Sequence, residues 1–333
     1  MSALSDQLVT FAILAYLVAM ISHAVEYALG NGRSARARTV AAPARELATV
    51  GAGSGAGPVD AGPSGANPAA APGAAGAARR DPGRLAGLIG VGLTALAALL
   101  HLGALVARGV AADRMPWGNM YEYVLTVSFI GVAGWLAVLA KRPVLRHLGL
   151  FLTLVMVLLL AFAEMVLYVE ITPLIPALNS YWFVIHVSTV VFSSGIFLLG
   201  FVPAVMYLMR NGYESGRRGF PYDLARRVPK AATLERLTFG LHAFAFPVFT
   251  FAVIAGAIWA EAAWGRPWGW DPKETWSFIS WVIYAGYLHA RATPSVKRNV
   301  AVWIAVLGFA TMLMNLFGVN IFFEGLHSYG GLD

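Results

Sequence analysis

The chain has 333 residues, of which 58% are hydrophobic and only 12% charged, with a net charge of +7 and a mean hydropathy of +0.66. A soluble domain carries about a quarter charged residues, so an ordinary soluble fold is excluded. Cysteine is absent, which excludes a disulfide framework and any thiol chemistry carried by the chain itself.

Apolar stretches of near bilayer-spanning length predict helices over 6–29, 85–108, 120–140, 147–168, 181–209, 236–262, 277–291 and 299–318. The fold class is therefore all-α, a polytopic transmembrane helical bundle of about eight spans. The first stretch has no basic segment before it and no small-residue cleavage site after it, and reads as a retained span over residues 1–30. Residues 31–84 are rich in Gly, Ala and Pro and carry seven arginines, at 33, 36, 38, 45, 79, 80 and 84. Such a composition cannot bury a core and reads as a disordered cytoplasmic linker without a catalytic role. Residues 85–333 form the main membrane domain.

Lysine and arginine set the orientation. The basic loops are 31–84, Lys141/Arg142/Arg146, the 210–236 loop with seven Lys/Arg, and Arg291/Lys297/Arg298. With eight spans, all four fall on one side, which the positive-inside rule assigns to the cytoplasm. The same pattern accounts for the positive net charge without a nucleic-acid partner. Both termini, 109–119, 169–180 and the tryptophan-rich segment 259–276 then face outward from the cell membrane.

That segment is the most unusual part of the chain. Six of ten tryptophans lie between Trp259 and Trp281. An interfacial aromatic belt explains one or two per span end. It does not explain six, broken by Gly265, Pro267 and Gly269. Trp264, Trp268, Trp270 and Trp276, with Asp271, read as a platform for a large flat ligand. Asp271-Pro272-Lys273-Glu274 has the form of a helix start, with an N-cap, a proline at the first position and a capping-box Glu.

Histidines inside a membrane are functional candidates by default. His186 lies about five residues below the outer end of its span, roughly 8 Å deep, and His327 lies in the outer tail. One imidazole above and one below a flat ring would be bis-histidine ligation of a haem iron. His289 lies some 12 residues below Ser277, roughly 18 Å beneath the outer face. It reads either as a ligand of a second, inner haem, with His242 or His23 as candidate neighbours, or as an interhelical hydrogen bond. His101 is a weaker candidate, and His147 reads as a solvated interface residue. Metalloprotease, P-loop and dinucleotide signatures are absent from the sequence.

The run Trp264-Gly265-x-x-Trp268-x-Trp270-Asp271-Pro272-Lys273-Glu274-Thr275-Trp276 resembles the tryptophan-rich "WWD" signature of haem-handling proteins. Its Asp-Pro-Lys-Glu-Thr-Trp ending is similar to the CcsA/ResC branch, the membrane subunit of cytochrome c synthesis system II. Further matches surround His186, His289 and His327, and the segment Pro116 to Glu122, so the resemblance covers roughly 85–333. It implies that His186 and His327 ligate haem b beside the tryptophans. It also implies that His289 belongs to an inner haem site whose second ligand comes from a CcsB/ResB-like partner. The function implied is that of a cytochrome c haem lyase (synthase) subunit. Such a subunit moves haem across the membrane and presents it for thioether attachment to the Cys-x-x-Cys-His of apocytochrome c. No catalytic nucleophile of its own is expected, because the substrate brings the thiols. The alternatives are a haem exporter without attachment chemistry and a bis-histidine cytochrome b, for which His242 with His289 would form the pair.

Overall fold

Backbone amides in an apolar slab must find partners within their own segment, so apolar stretches of this length fold as helices. The computed structural model describes residues 1–29, 81–174 and 178–327, and no strand occurs among them. The helices are α1 (Ser2–Leu29), α2 (Pro82–Ala112), α3 (Met120–Lys141), α4 (Gly149–Phe162), α5 (Tyr181–Glu214), α6 (Ala231–Trp264), α7 (Pro272–Ala292), α8 (Arg298–Leu313) and α9 (Val319–Phe322). A 3-10 turn, Pro143–Leu148, leads into α4, and π-turns follow α4 (Ala163–Leu167) and α8 (Met314–Gly318).

Seven of these segments are long and apolar enough to cross a membrane. The predicted eighth span, 277–291, also forms, as the body of α7. With Lys273, Glu274, His289 and Arg291 along it, α7 is more polar than the other seven. The linker boundary shifts. Helix α2 starts at Pro82 rather than 85, because the Asp81 side chain accepts from the Gly83 amide at 3.1 Å and caps it. Residues 82–84 are therefore helical, and residues 31–80 of the predicted linker lie outside the described residues.

Helix α1 packs along α2, α5 along α6 and α7 along α8, with α3 joined to α5. His23 is 2% exposed and wedged between α2 and the start of α4. A Cβ at Gly90 or Gly149 would come within 2.9 or 2.6 Å of its ring. Three of the predicted basic segments meet at one end of the bundle. There Arg146 pairs with Glu26 at 2.6 Å, Arg291 pairs with Glu235, and Tyr207 donates to Asn299 at 2.8 Å.

The opposite end is built on a buried carboxylate. Glu122 is fully buried and accepts from Arg108 Nε at 2.9 Å, Arg114 Nη1 at 2.6 Å and the Gly118 amide at 2.7 Å. Arg108 is itself 1% exposed. These bonds fix the turn from Arg114 to Asn119 and with it Trp117. Removing one partner of a buried ion pair strands the other charge, at a cost of about 3–5 kcal/mol. Glu122→Ala should therefore lower the unfolding stability of the detergent-solubilised protein by that order, whereas Glu214→Ala, an exposed i,i+4 pair with Arg210, should change it by less than about 0.5 kcal/mol.

Candidate functional site

Helix α6 stops at Gly265, whose φ of 69° places it in the left-handed region that glycine tolerates best. The chain then runs irregularly to Asp271, the N-cap of α7. The predicted capping box is present: Glu274 Oε2 accepts from the amides of Asp271 at 3.0 Å and Gly269 at 2.8 Å. Between those two amides sits Trp270 with φ of 58°. A bulky residue in that region costs on the order of 1–3 kcal/mol and persists only when its surroundings over-determine it. Here its two neighbours are bound to one carboxylate, and its own carbonyl accepts from Thr275 Oγ1 at 3.2 Å.

Asp271 does more than cap. Its carboxylate accepts from the Lys273 amide at 3.3 Å and the Leu326 amide at 2.7 Å, and its Oδ2 lies 2.8 Å from His327 Nδ1. Burial alone would push this carboxyl up. The hydrogen bonds from His327, Leu326 and Lys273 outweigh burial and hold it below its ordinary value of 3.8. The ionised carboxylate can only accept, so His327 Nδ1 is the donor and Nε2 is left free for another bond.

His186 is held in an analogous way by a different partner. On α5 its Nδ1 lies 2.8 Å from the Ala252 carbonyl of α6. Gly256, one turn on, makes the approach possible, because a Cβ there would lie 2.6 Å from the imidazole. Trp259 joins the two histidines. The His186 ring stacks on it at 5.9 Å and 13°, and the His327 ring meets it edge-on at 5.8 Å. Trp264 closes against both Trp259 and His327, each at 4.8 Å.

His186, His327, Trp259 and Trp268 line one cavity of about 260 Å³. Its walls come from α3, α5, α6, the first two turns of α7, α8 and the π-turn that follows it. Trp117 lines it too, a residue outside the predicted platform whose sequence signal is its place among Pro116–Glu122. Trp264 stands behind His327. Trp270 is 63% exposed and packs on Trp268 and Phe278, and neither it nor Trp276 lines the cavity.

The remaining histidines are dispersed. His289 lies exposed in the last turn of α7. His242 is 1% exposed, bonds the Thr238 carbonyl at 2.8 Å, and packs against Tyr284 and Tyr287. His101 is buried edge-on between Tyr16 and Phe129. His147 lies in the 3-10 turn, 3.9 Å from Glu26. The structure thus brings His186 and His327 to one site and does not bring His289 together with His242 or His23.

A family model described as cytochrome C assembly protein matches residues 117–327. A CcsA cytochrome c biogenesis protein of Guillardia theta is 33% identical over 261 residues, covering 74% of this chain and 86% of that one. The chain belongs to the CcsA family.

Another CcsA-family protein, from Gloeobacter violaceus, is 32% identical over 295 residues, covering 74% and 87% of the two chains. The family match in this CcsA-family chain starts at the cavity residue Trp117 and ends at the tethered His327. Among solved structures, the cytochrome c haem lyase CcmF matches with a TM-score of 0.51 at 20% identity, over 95% of this chain and 46% of CcmF. That likeness is one of fold.

The Asp271 contacts make a pH-dependent tether. Because the folded carboxyl titrates below 3.8, its stabilisation is present in full above that value and is lost as pH falls through the lowered one. Proteolysis of the tail beyond Phe323 should therefore accelerate as pH falls below about 4. Asp271→Ala should make the tail cleavable at neutral pH and weaken the start of α7 by about 1 kcal/mol.

Proposed function

We propose that this CcsA-family protein holds haem b between His186 and His327 and presents it, on the outer face of the cell membrane, for attachment to apocytochrome c. One observation carries the reading: two imidazoles face one cavity, each with Nδ1 committed to the protein and Nε2 left to ligate. The donor set fits the group. Two neutral imidazoles suit a low-spin haem iron and help set its potential, and the indoles of Trp259 and Trp268 suit a flat ring. Among the described residues no group of three or more His, Cys, Asp or Glu forms a protein-only metal site, whereas a porphyrin brings its own equatorial ligands.

Attachment adds a thiol S–H across each vinyl double bond. Sulfur bonds one carbon, the proton goes to the other, and no net electrons are exchanged. The thiols come from the Cys-x-x-Cys-His of the substrate, since this chain has no cysteine. What the chain contributes is orientation of the ring and exclusion of water, which can supply a large part of a barrier. His289, exposed near the far end of α7, is suited to share an inner haem with a residue of a CcsB/ResB-like partner. A plain exporter would not require the paired, pre-oriented histidines, and the pairing a cytochrome b needs inside the bundle is not formed by His242 and His289.

The complex with its partner should carry haem with a low-spin bis-histidine spectrum. His186→Ala or His327→Ala should reduce haem retention at least about tenfold, as loss of ligand-shell residues does, and added imidazole should restore part of the spectrum. Unchanged spectra and cytochrome c maturation in both variants would refute the ligand assignment. Trp268→Ala should impair maturation more than Trp270→Ala, because only Trp268 lines the cavity. His289→Ala should lower haem reaching the outer site in cells, yet haem added to the purified variant should still give the bis-histidine band.

A further inference from the structure

We infer that Lys273 and Ser277 form a carboxylate-binding wall of the cavity, and that on the haem reading above, on which this rests, they take a propionate and fix which edge of the ring faces the substrate. Lys273 is the second residue of α7, half-buried, and is one of the residues that line the cavity. It donates to the Asn315 carbonyl at 2.9 Å, in the π-turn that follows α8. An ammonium has three donors, so two remain. Ser277, one turn further along α7, accepts from Asn315 Nδ2 at 2.8 Å, which leaves its own hydroxyl proton to donate. Lys273, Ser277 and Asn315 all face the same space.

What this cation lacks is an ion-pair contact, since the Asp271 charge acts on it only from beyond pairing distance. Lys273 takes part in none of the ion pairs among the described residues. The two acids nearest in sequence make no ion pair with it, although Glu274 also lines the cavity and its Oε1 is buried without a hydrogen-bond partner. Asp271 holds His327 and two amides, and Glu274 Oε2 holds the amides of Gly269 and Asp271 at the N-terminus of α7. Adjacent residues on a helix also do not face each other. A buried charge is costly unless paired. A cation with spare donors on a cavity wall calls for an anion from the ligand.

The rest of the cavity decides which kind. Val187, Val190, Phe249, Val253 and Met312 line it with apolar surface, which suits a large apolar ring with a carboxylate on one edge. Haem b carries both propionates on one edge and its vinyl groups away from them. Anchoring a propionate at Lys273 therefore turns the vinyl groups away from the α7–α8 wall and gives the ring one rotational setting between its two histidines.

The test uses the purified complex, titrated with iron protoporphyrin IX and with its dimethyl ester while the low-spin band is followed. Ratios between variants in the same detergent cancel partitioning. The wild type should bind the diacid about tenfold or more tightly than the ester, the scale of a charge-assisted hydrogen bond. Lys273→Met should erase that preference by weakening the diacid alone, and Lys273→Arg should keep it. A full preference in Lys273→Met, or none in the wild type, would overturn the inference while leaving the haem site intact. Should Lys273→Met bind neither form, Ser277→Ala decides: a narrowed preference supports the wall and an unchanged one refutes it. A wild type that shows no low-spin band with either form, or a band indifferent to His186→Ala and His327→Ala, would instead refute the haem reading itself.

Discussion

The carboxylate of Asp271 ties the start of α7 to the tail and does three things at once. It starts α7, it accepts from the Leu326 amide, and it orients His327. The position of the cavity depends on all three. Without the cap, the irregular stretch after Gly265 has no fixed end, and Trp268 loses its placement. Without the tail bond, His327 keeps only its ring contacts with Trp259 and Trp264. Three hydrogen bonds to one ionised oxygen pair explain how a segment with little regular structure presents a defined surface. Charge-assisted bonds are roughly twice as strong as neutral ones, and a surrounding of low dielectric strengthens them further.

A second constraint works from the other side of the cavity. Glu122, with Arg108 and Arg114, is a buried ionic cluster whose geometric product is a fixed turn carrying Trp117. Such clusters are weak sources of net stability but are costly to break. Both polar anchors therefore lie at the same end of the bundle, and each places one indole at the cavity. The helices beneath supply the apolar walls and, through Gly256, the close approach that lets an α6 carbonyl hold His186.

Much of this was legible in the sequence, for identifiable reasons. Apolar runs of bilayer length left little choice of fold, and the capping box at Asp271 is a local pattern whose residues sit within four positions of each other. The family signature pointed to His186 and His327, which the structure brings to one cavity. Contacts between distant segments were not legible. Asp271 and His327 are 56 residues apart, with no periodicity relating them. The faces of His289 and His242 are set by which helix lies alongside, so the exposure of one and the burial of the other could not be read from depth. The bond from Lys273 to Asn315 depends on a π-turn after α8, which carries no recognisable sequence signal. Helix α2 starts three residues before the apolar run does, because Asp81-Pro82 is a cap set in a linker-like composition.

The two histidines at the cavity differ in what holds them. His186 belongs to a 34-residue helix and is bonded to the backbone of another, so displacing it means sliding α5 against α6. His327 follows the last short helix and is held by Asp271 and by contacts with two indoles. Withdrawing it means breaking one side-chain bond and its neighbouring amide bond, a few kcal/mol at most. A ring gripped between them would sit in a vice with one fixed jaw and one movable jaw. The movable jaw is the one through which a finished product, now covalently part of another protein, would leave.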